Sequence, residues 1–293
     1  MKYIRILFFL VSCNYASAAV IKRSVFTGTI NSVGADTDTV VRKRSISAGI
    51  SYGSDALFFG RTGPITYPFI STDVIYNTKG GFFVYGSALK LLGYPTLADE
   101  IDLGGGYAYR FSAKAKGTIS YTRFIFKDDE RVISSATSND INWKNAYTGK
   151  IAQSSVVFDY LFGKSSDFFT TINVSKYIET SWNVFDDKDY LTFNPGVSFI
   201  FGTQNFVKKY SEDHQDRLAA DNIIIYDPDH DFNRYNNGKF NPLNYSFKIP
   251  IAYNRPHYTF EASYKYSIPV NVEGALKNKR ESFYNLTFYY VFY

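Results

Sequence analysis

The most chemically suggestive part of the sequence is an acidic stretch that places carboxylates at Asp227, Asp229 and Asp231. Carboxylates at alternate positions resemble the start of a calcium-binding loop, because hard oxygen ligands suit Ca²⁺. The pattern then departs from an EF-hand, since Phe232 stands where a glycine is needed and Gly238 where a bidentate glutamate is needed. The three aspartates are therefore weak metal candidates beside the simpler interpretation of a solvated turn, and no cofactor is predicted.

Hydrolytic chemistry is the second possibility that the residue types raise. His214 and His230 lie in the same polar stretch, and His257 lies at a predicted turn. A general base must lie within hydrogen-bond reach of its nucleophile, yet no predicted strand carries a histidine in its interior. The sequence also lacks a G-x-S-x-G motif and zinc-ligand spacing. We therefore predict that the protein is not an enzyme.

A third set of residues suggests a path for solutes. Seven charged side chains point away from the apolar face of alternating segments, and these are the lumen-facing candidates: Asp73, Asp102, Arg110, Asp159, Lys248, Glu261 and Lys265. Turned toward lipid at mid-depth, each Arg or Lys would cost roughly 2–4 kcal/mol. Two interpretations stay open, a hydrated path that selects a polar solute or a hydrogen-bonded filling of a narrow barrel.

The elements that must position these side chains are segments of about ten residues with period-two alternation, bounded by turn residues. Twelve such segments are predicted as strands: 44–54, 67–77, 82–91, 100–112, 117–127, 138–147, 151–163, 168–180, 189–203, 241–254, 257–270 and 281–293. On 241–254 we expect Leu243 and every second residue after it to face outward. An even number of strands is typical of bacterial outer-membrane barrels. The predicted fold is an all-β, antiparallel transmembrane barrel over residues 44–293.

The last predicted strand, 281–293, is apolar and aromatic, and it carries no charge after Glu281. Such a strand is an aggregation hazard in water, whereas in lipid it can close a barrel. Its facing stays open, because either Tyr284 and alternate residues after it or Tyr289, Val291 and Tyr293 could meet lipid. We expect outer-membrane lipid around the barrel and recognition of this strand by the barrel-assembly machinery.

Composition agrees with this prediction. Phe, Tyr and Trp make up 19% of the chain, and mean hydropathy is −0.20, as expected when aromatic residues line a membrane interface and alternate positions are polar. The net charge of +5 is too small and too dispersed to indicate a nucleic-acid partner. Acidic and basic clusters alternate along the chain and are expected to lie in solvated loops.

The N-terminus has the pattern of a secretory signal peptide over residues 1–18, with Lys2, Arg5 and an Ala16–Ala18 cleavage site. Cys13, the single cysteine, lies within it, so the mature chain is expected to have no disulfide. The alternative is a lipoprotein signal in which Cys13 is lipidated. Residues 19–43 are expected to form a periplasmic extension, because a thirteenth strand would place the barrel's two ends on opposite sides.

The longest predicted connection is the external loop 203–240, within which a short helix is possible over Ser211–Ala220. A loop of this length is usually functional or disordered. It could fold inward as a plug or lid, or outward as a receptor surface.

Four aromatic and turn motifs stand out along the chain: Ile50–Ser54 running into Leu57–Arg61, Ile200–Gln204, Leu243–Pro250 and Tyr266–Asn271. Together they resemble a family of uncharacterised outer-membrane barrels seen in Bacteroidetes. The resemblance covers most of residues 44–293 and implies the barrel fold without implying an activity or any site residue. We therefore predict an outer-membrane channel or transporter for a small solute. The alternative is a non-conducting barrel that acts as a receptor or as a subunit of an envelope complex with a protein partner.

Overall fold

Period-two alternation of apolar and polar residues produces fourteen strands, all in one antiparallel sheet. The computed structural model describes residues 44–127, 133–213, 238–274 and 276–293. The strands are β1 (Ser45–Gly53), β2 (Phe69–Asn77), β3 (Phe82–Leu91), β4 (Glu100–Arg110), β5 (Ala115–Phe126), β6 (Asn139–Thr148), β7 (Gln153–Phe162), β8 (Ser166–Ser175), β9 (Ile178–Glu179), β10 (Tyr190–Phe193), β11 (Gly196–Gly202), β12 (Asn241–Asn254), β13 (Tyr258–Pro269) and β14 (Glu281–Phe292). A 3₁₀ helix spans Ile133–Ala136, and helix α1 spans Asn205–Asp213.

The sheet closes on itself. Strand β1 pairs with both β2 and β14, and β11 pairs with both β8 and β12, so the ring has no open edge in its wall. Strand β9 pairs only with β10, outside the ring, and β10 and β11 form one wall strand interrupted at Asn194 and Pro195. The wall therefore has twelve strands, which confirms the predicted twelve-stranded antiparallel barrel.

The two faces of the wall have opposite chemistry. Large apolar side chains such as Ile50, Val74 and Leu103 are 48–53% exposed on the outside, while Ser51 and Asp73, their neighbours in sequence, are buried on the inside. A soluble protein has the reverse arrangement. An apolar exterior on a closed antiparallel barrel is the architecture of bacterial outer-membrane proteins, and the predicted location in the outer membrane follows from it.

Strand β14 settles the question of facing that its sequence left open. Tyr284, Leu286 and Phe288 are exposed on the outer face, whereas Phe283, Thr287 and Tyr289 are buried on the inner face. The strand pairs with β1 from Ile46↔Phe292 to Gly53↔Asn285 and thereby seals the barrel. Its even-numbered residues are the ones that face outward.

Leu243 is a correction to the predicted facing of β12. The side chain is fully buried inside the barrel, although the residues that follow at alternate positions, Tyr245 and Phe247, do lie on the outer face. The pairing of β11 with β12 shifts register between Ile200 and Phe201, which leaves Leu243 as an extra residue. A β-bulge of this kind reverses the facing of a side chain, and it cannot be read from periodicity.

The helix in the long connection also differs from prediction, since it begins at Asn205 rather than at Ser211. The carboxylate of Asp167 on β8 accepts hydrogen bonds from the backbone N–H groups of Asn205 and Phe206, at 2.7 and 2.8 Å. Free N–H groups in a helix's first turn need such an acceptor. The cap comes from a distant strand, so local sequence could not indicate where α1 starts.

Most connections are short at one end of the barrel and longer at the other, the exceptions being 176–189 at the first end and 163–165 at the second. Residues 78–81, 111–114, 149–152 and 255–257 form tight turns at the short-turn end, where β1 begins and β14 ends. No helix in the described part of the chain has the length and hydropathy needed to cross a membrane. The predictions for residues 1–43, with the signal peptide, Cys13 and the periplasmic extension, lie outside the described residues, as does most of 203–240.

Candidate solute path and its closed end

The structure places all seven predicted lumen residues on the inner face of their strands. Asp73, Asp102, Asp159 and Glu261 are each at least 93% buried, Lys248 and Lys265 are half-buried, and Arg110 is exposed at the short-turn end. Their role in binding or selecting a solute stays a prediction. Further inward charges that the sequence analysis did not single out are Glu100, Lys116, Asp140, Lys144 and Asp167.

Charges of both signs line the lumen. Inward acidic side chains lie on β2, β4, β6, β7, β8 and β13, and inward lysines lie on β5, β6, β12 and β13. Lys248 and Lys265 lie side by side on β12 and β13. In the ring, β12 stands across from β4, with five wall strands between them in either direction. A polar solute in the lumen would therefore meet both acidic and basic groups.

Several inward polar groups are held by hydrogen bonds along the wall. The Ser87 hydroxyl donates to Asp102 at 2.9 Å, the Asn142 amide donates to Asp159 at 2.6 Å, and Lys248 lies 3.2 Å from Glu261. These contacts fix the carboxylates against the sheet. Asp73 is different, because neither of its carboxylate oxygens has a hydrogen-bond partner among the described residues.

Glycines in the wall let aromatic rings lie flat along it. A Cβ on Gly104 would stand 2.4 Å from the ring of Tyr85, and a Cβ on Gly106 would stand 2.8 Å from the ring of Phe83. The Tyr85 hydroxyl hydrogen-bonds to Thr122 two strands away. In the structure, Gly104 and Gly106 give aromatic side chains room inside a narrow lumen.

The long-loop end of the barrel is filled by apolar side chains, which we call the plug cluster. They come from the connections after β1 and after β13, from five wall strands, and from both helices: Phe58, Phe59, Phe124, Ile133, Ala136, Leu161, Phe169, Ile200, Phe206, Val207, Leu243 and Leu276. Each is at most 5% exposed. The cluster reaches from one side of the wall to the other, so the lumen is closed at this end.

Residues 54–68, which we call the inward loop, supply the centre of the plug cluster. Phe58 and Arg61 exchange two backbone hydrogen bonds of 2.9 Å, and the residues between them, Phe59 and Gly60, have φ of 46° and 77°. These values define a type I′ turn. Its tip reaches the opposite wall, where the Phe59 ring stacks on Phe169 with centroids 3.8 Å apart.

Arg61 holds the inward loop in place from inside the protein. Its guanidinium is fully buried and donates two hydrogen bonds to Gln204 and three to the backbone carbonyls of Leu243, Val270 and Asn271, all at 2.7–3.1 Å. Burial lowers the pKa of Arg61 to about 10, so the group stays charged at neutral pH. One side chain thus connects the inward loop to wall strand β12 and to two other connections at the long-loop end.

A second polar contact secures the base of the inward loop. The Asp55 carboxylate accepts hydrogen bonds from the backbone N–H groups of Ala56 and Tyr67, at 2.8 and 2.7 Å, and lies 3.4 Å from Lys277. Lys277 also lies 3.3 Å from Glu281 at the start of β14. Burial raises the pKa of Asp55 above its ordinary value, against the lowering effect of these contacts. The ends of the loop are thereby held together.

Sequence reasoning treated residues 54–66 as an ordinary external connection and looked for a plug in 203–240. The signal that could have located it is Phe58–Phe59–Gly60–Arg61, an aromatic pair followed by a glycine within a loop. Two large aromatic side chains in a solvated loop would be unfavourable. Of the longer connection, the described part contributes Phe206 and Val207 to the plug cluster.

The weak metal candidates Asp227, Asp229 and Asp231 lie outside the described residues, as do His214 and His230. Among the residues that the structure describes, no group of three or more His, Cys, Asp or Glu could hold a metal ion.

Comparison with known proteins gives a limited result. No family model matches the chain, and no curated protein matches it either. Among solved structures it is similar to the KdgM porin, with 7% identity, a TM-score of 0.49 and coverage of 84% of this chain and 99% of that one. It is also similar to the NanC porin, with 10% identity, a TM-score of 0.47 and coverage of 83% and 98%. An outer-membrane channel from Pseudomonas putida F1 has 12% identity, a TM-score of 0.43 and coverage of 89% and 100%.

Proposed function

We propose that the protein is an outer-membrane channel for a small polar solute. The observation that carries the proposal is the charge on the inner face of the wall: Asp73 has no hydrogen-bond partner among the described residues, and Lys248 and Lys265 lie side by side. A filling that served stability alone would be expected to pair every such charge or to replace it by an apolar residue, because buried charges are costly. Charges that face the lumen in this way suit a path that contacts a solute.

The plug cluster requires that this channel has a closed state. The structure closes the lumen at the long-loop end, and the loop that closes it is a single connection with a polar anchor at Arg61. Lids and gates are commonly loops that hold two positions. We therefore propose that conduction follows movement of the inward loop away from Phe169 and Gln204, while the strands stay in place.

The alternative is a non-conducting barrel that serves as a receptor or as a subunit of an envelope complex, and the plug cluster is the observation that favours it. Under this alternative the inward loop never leaves the lumen, and the polar wall contacts stiffen the barrel. Both proposals are non-enzymatic. On the described strands no inward position carries a histidine, and His257 lies at the short-turn end beside Val291.

Planar-bilayer recording tests the proposal directly. Purified protein is added to a bilayer in potassium chloride, and the current is compared with that of a variant lacking 56–65, in which a Gly-Ser linker joins the loop ends. The channel proposal expects brief openings of the intact protein and sustained current from the shortened one. A shortened variant that folds, judged by heat-modifiable migration on gels, and still passes no current would favour the non-conducting barrel.

The partners of the protein remain proposals as well. The apolar outer face is proposed to contact outer-membrane lipid, and the exposed aromatic residues of β14 are proposed as the feature that the barrel-assembly machinery binds. A protein partner in the envelope belongs to the alternative function, and co-purification in a fixed ratio is the observation that would support it.

A further inference from the structure

Asp73 is the most unusual charged group in the lumen. It lies in the middle of β2, four residues from each end of the strand, and only 7% of it is exposed. Neither carboxylate oxygen has a hydrogen-bond donor within reach among the described residues. The other predicted lumen aspartates differ, since Asp102 accepts from Ser87 and Asp159 accepts from Asn142. A buried carboxylate without a donor is costly, so its presence calls for an explanation.

The missing side chain of Gly49 leaves a space on the inner face of the wall, which we call the hollow, and Asp73 and Tyr289 both enter it. Gly49 on β1 lies beside Asp73 on β2 and beside Tyr289 on β14 in the strand pairing. A Cβ on Gly49 would stand 2.7 Å from Asp73 Oδ1 and 2.3 Å from Tyr289 Cε1. These two atoms are therefore no more than about 5 Å apart, the sum of the two distances. One cation can contact both groups, because a cation–π contact extends to about 6 Å from the ring centroid. Gly49 is what allows the carboxylate and the ring to meet.

We infer that Asp73 and Tyr289, meeting over Gly49, form a subsite for the positively charged ammonium group of a solute. A carboxylate supplies an ion pair and a hydrogen-bond acceptor, and a phenol ring attracts a cation at its face. A metal ion is a poorer fit, because hard cations take six or more oxygen ligands and the described residues around Asp73 offer one carboxylate. An ammonium group needs fewer partners.

A basic group on the same inner face suggests that the solute also carries a negative group. Lys265 lies directly beside Lys248 in the pairing of β12 with β13, and Lys248 is already paired with Glu261. Lys265 has no hydrogen bond or ion pair to a described residue, and two wall strands separate its strand from the strand of Asp73. A zwitterionic solute, with an ammonium and a carboxylate or phosphate, would meet an acidic partner at Asp73 and a basic one at Lys265. This inference deepens the proposed channel function and rests on it for transport, although binding alone can be measured without it.

The test combines binding with conduction. Isothermal titration calorimetry of the full-length protein in detergent measures the affinity of the subsite. The probe is methylammonium chloride, and the reference is sodium chloride at matched ionic strength. Asp73→Asn keeps the shape of the side chain and removes its charge. Loss of one member of a desolvated charge pair weakens binding by about 30-fold or more, so the variant is expected to bind methylammonium at least 30-fold more weakly.

Asp187→Asn is the matched control, because it removes the same charge from an exposed carboxylate in the connection between β9 and β10, outside the lumen. We expect it to bind methylammonium within about threefold of the parent, since that carboxylate is not part of the hollow. Equal weakening by both variants, unchanged binding by Asp73→Asn, or equal binding of sodium by the parent would each overturn the inference.

Two further readouts separate a subsite from a structural role and from failure of the channel. Thermal unfolding of Asp73→Asn is expected at the parent's temperature or above, because a buried unpartnered charge is removed; a clear decrease together with intact binding would assign Asp73 a structural role. In planar bilayers, the ratio of cation to anion permeability is expected to fall in Asp73→Asn. If neither protein conducts but only the parent binds methylammonium, the channel proposal fails and the subsite stands.

Discussion

Replacement of Arg61 by Met tests whether the inward loop can open the barrel. Methionine keeps much of the volume of the side chain and removes all five hydrogen bonds that the guanidinium donates. Hydrogen bonds to a charged group contribute about 1.5–3 kcal/mol each, but their sum overstates the loss. Water can reach the freed carbonyls at the end of the barrel, and the desolvation cost of the guanidinium disappears as well.

We therefore expect a net loss of about 2–4 kcal/mol in the stability of the closed loop, the range measured for broken buried polar networks. Because each 1.4 kcal/mol changes an equilibrium about tenfold, the ratio of open to closed protein should rise by about 30- to 700-fold. The twelve wall strands do not depend on Arg61, so the variant should still show heat-modifiable migration.

Opening can be measured by chemical labelling as well as by current. Ser246→Cys places a thiol on the inner face of β12, at a position that is 7% exposed in the closed structure. Intact cells are treated with a membrane-impermeant maleimide, and the labelling rate should increase when Arg61→Met is added to the reporter. Arg280→Met, which removes an exposed arginine at the same end, is the control and should leave the rate unchanged. A folded Arg61→Met variant with an unchanged labelling rate would refute the idea that Arg61 holds the loop closed.

The remaining predictions concern the turn of the inward loop, the effect of acid, the charged side chains of the lumen and the facing of β14. Gly60→Ala should also favour opening, by about 1–3 kcal/mol, because Gly60 has a φ of 77° and a Cβ there would stand 2.5 Å from Asn244. The rate of maleimide labelling measures this effect. Gly238→Ala is the control, because Gly238 has a φ of 76° but open space around it. Acid should favour the closed loop, because the pKa of Asp55 is raised in the closed structure above its ordinary value of 3.8. Just above that pH the closed form therefore binds more protons than the open form. The open probability should fall as pH falls toward 4, and Asp55→Asn should remove the share of this pH dependence that comes from Asp55. Glu261→Gln should remove the ion pair with Lys248 and shift permeability toward anions, which reversal potentials in a salt gradient report. The loss in folding stability should be only about 1–2 kcal/mol, because Lys248 is 26% exposed and water partly screens its charge. Leu286→Lys should impair barrel assembly by roughly 2–4 kcal/mol, whereas Asn285→Lys, on the lumen side, should be tolerated; heat-modifiable migration compares the two, and equal effects would contradict the facing of β14.

The barrel itself could be predicted from sequence because the pattern that indicates each strand lies within that strand. Period-two alternation shows in each strand separately, so 82–91 and 241–254 were predicted with the bounds that the structure has, and most other strands differ by one to four residues at an end. The closure of the ring followed from the even number of strands and from the aromatic last strand. These features require no knowledge of which residues meet across the lumen.

What could not be predicted depends on contacts between distant residues. Leu243 turns inward because β11 and β12 shift register, and α1 begins at Asn205 because Asp167 on β8 caps it. The inward loop is held by carbonyls of residues 243, 270 and 271, far from Arg61 in sequence. The hollow at Asp73 likewise needs three strands to bring Gly49 and Tyr289 beside it. Alternation marked Asp73 as inward but could not show that it lacks a donor.

Single-channel recording of the parent and of Arg61→Met under the same conditions tests the central claim most directly. The claim is that a charged lumen conducts when the inward loop leaves it. We predict rare openings for the parent and a greatly increased open probability, at the same unit conductance, for the variant. Two folded proteins that insert into the bilayer and pass no current at all would contradict the claim and leave the non-conducting barrel as the better description.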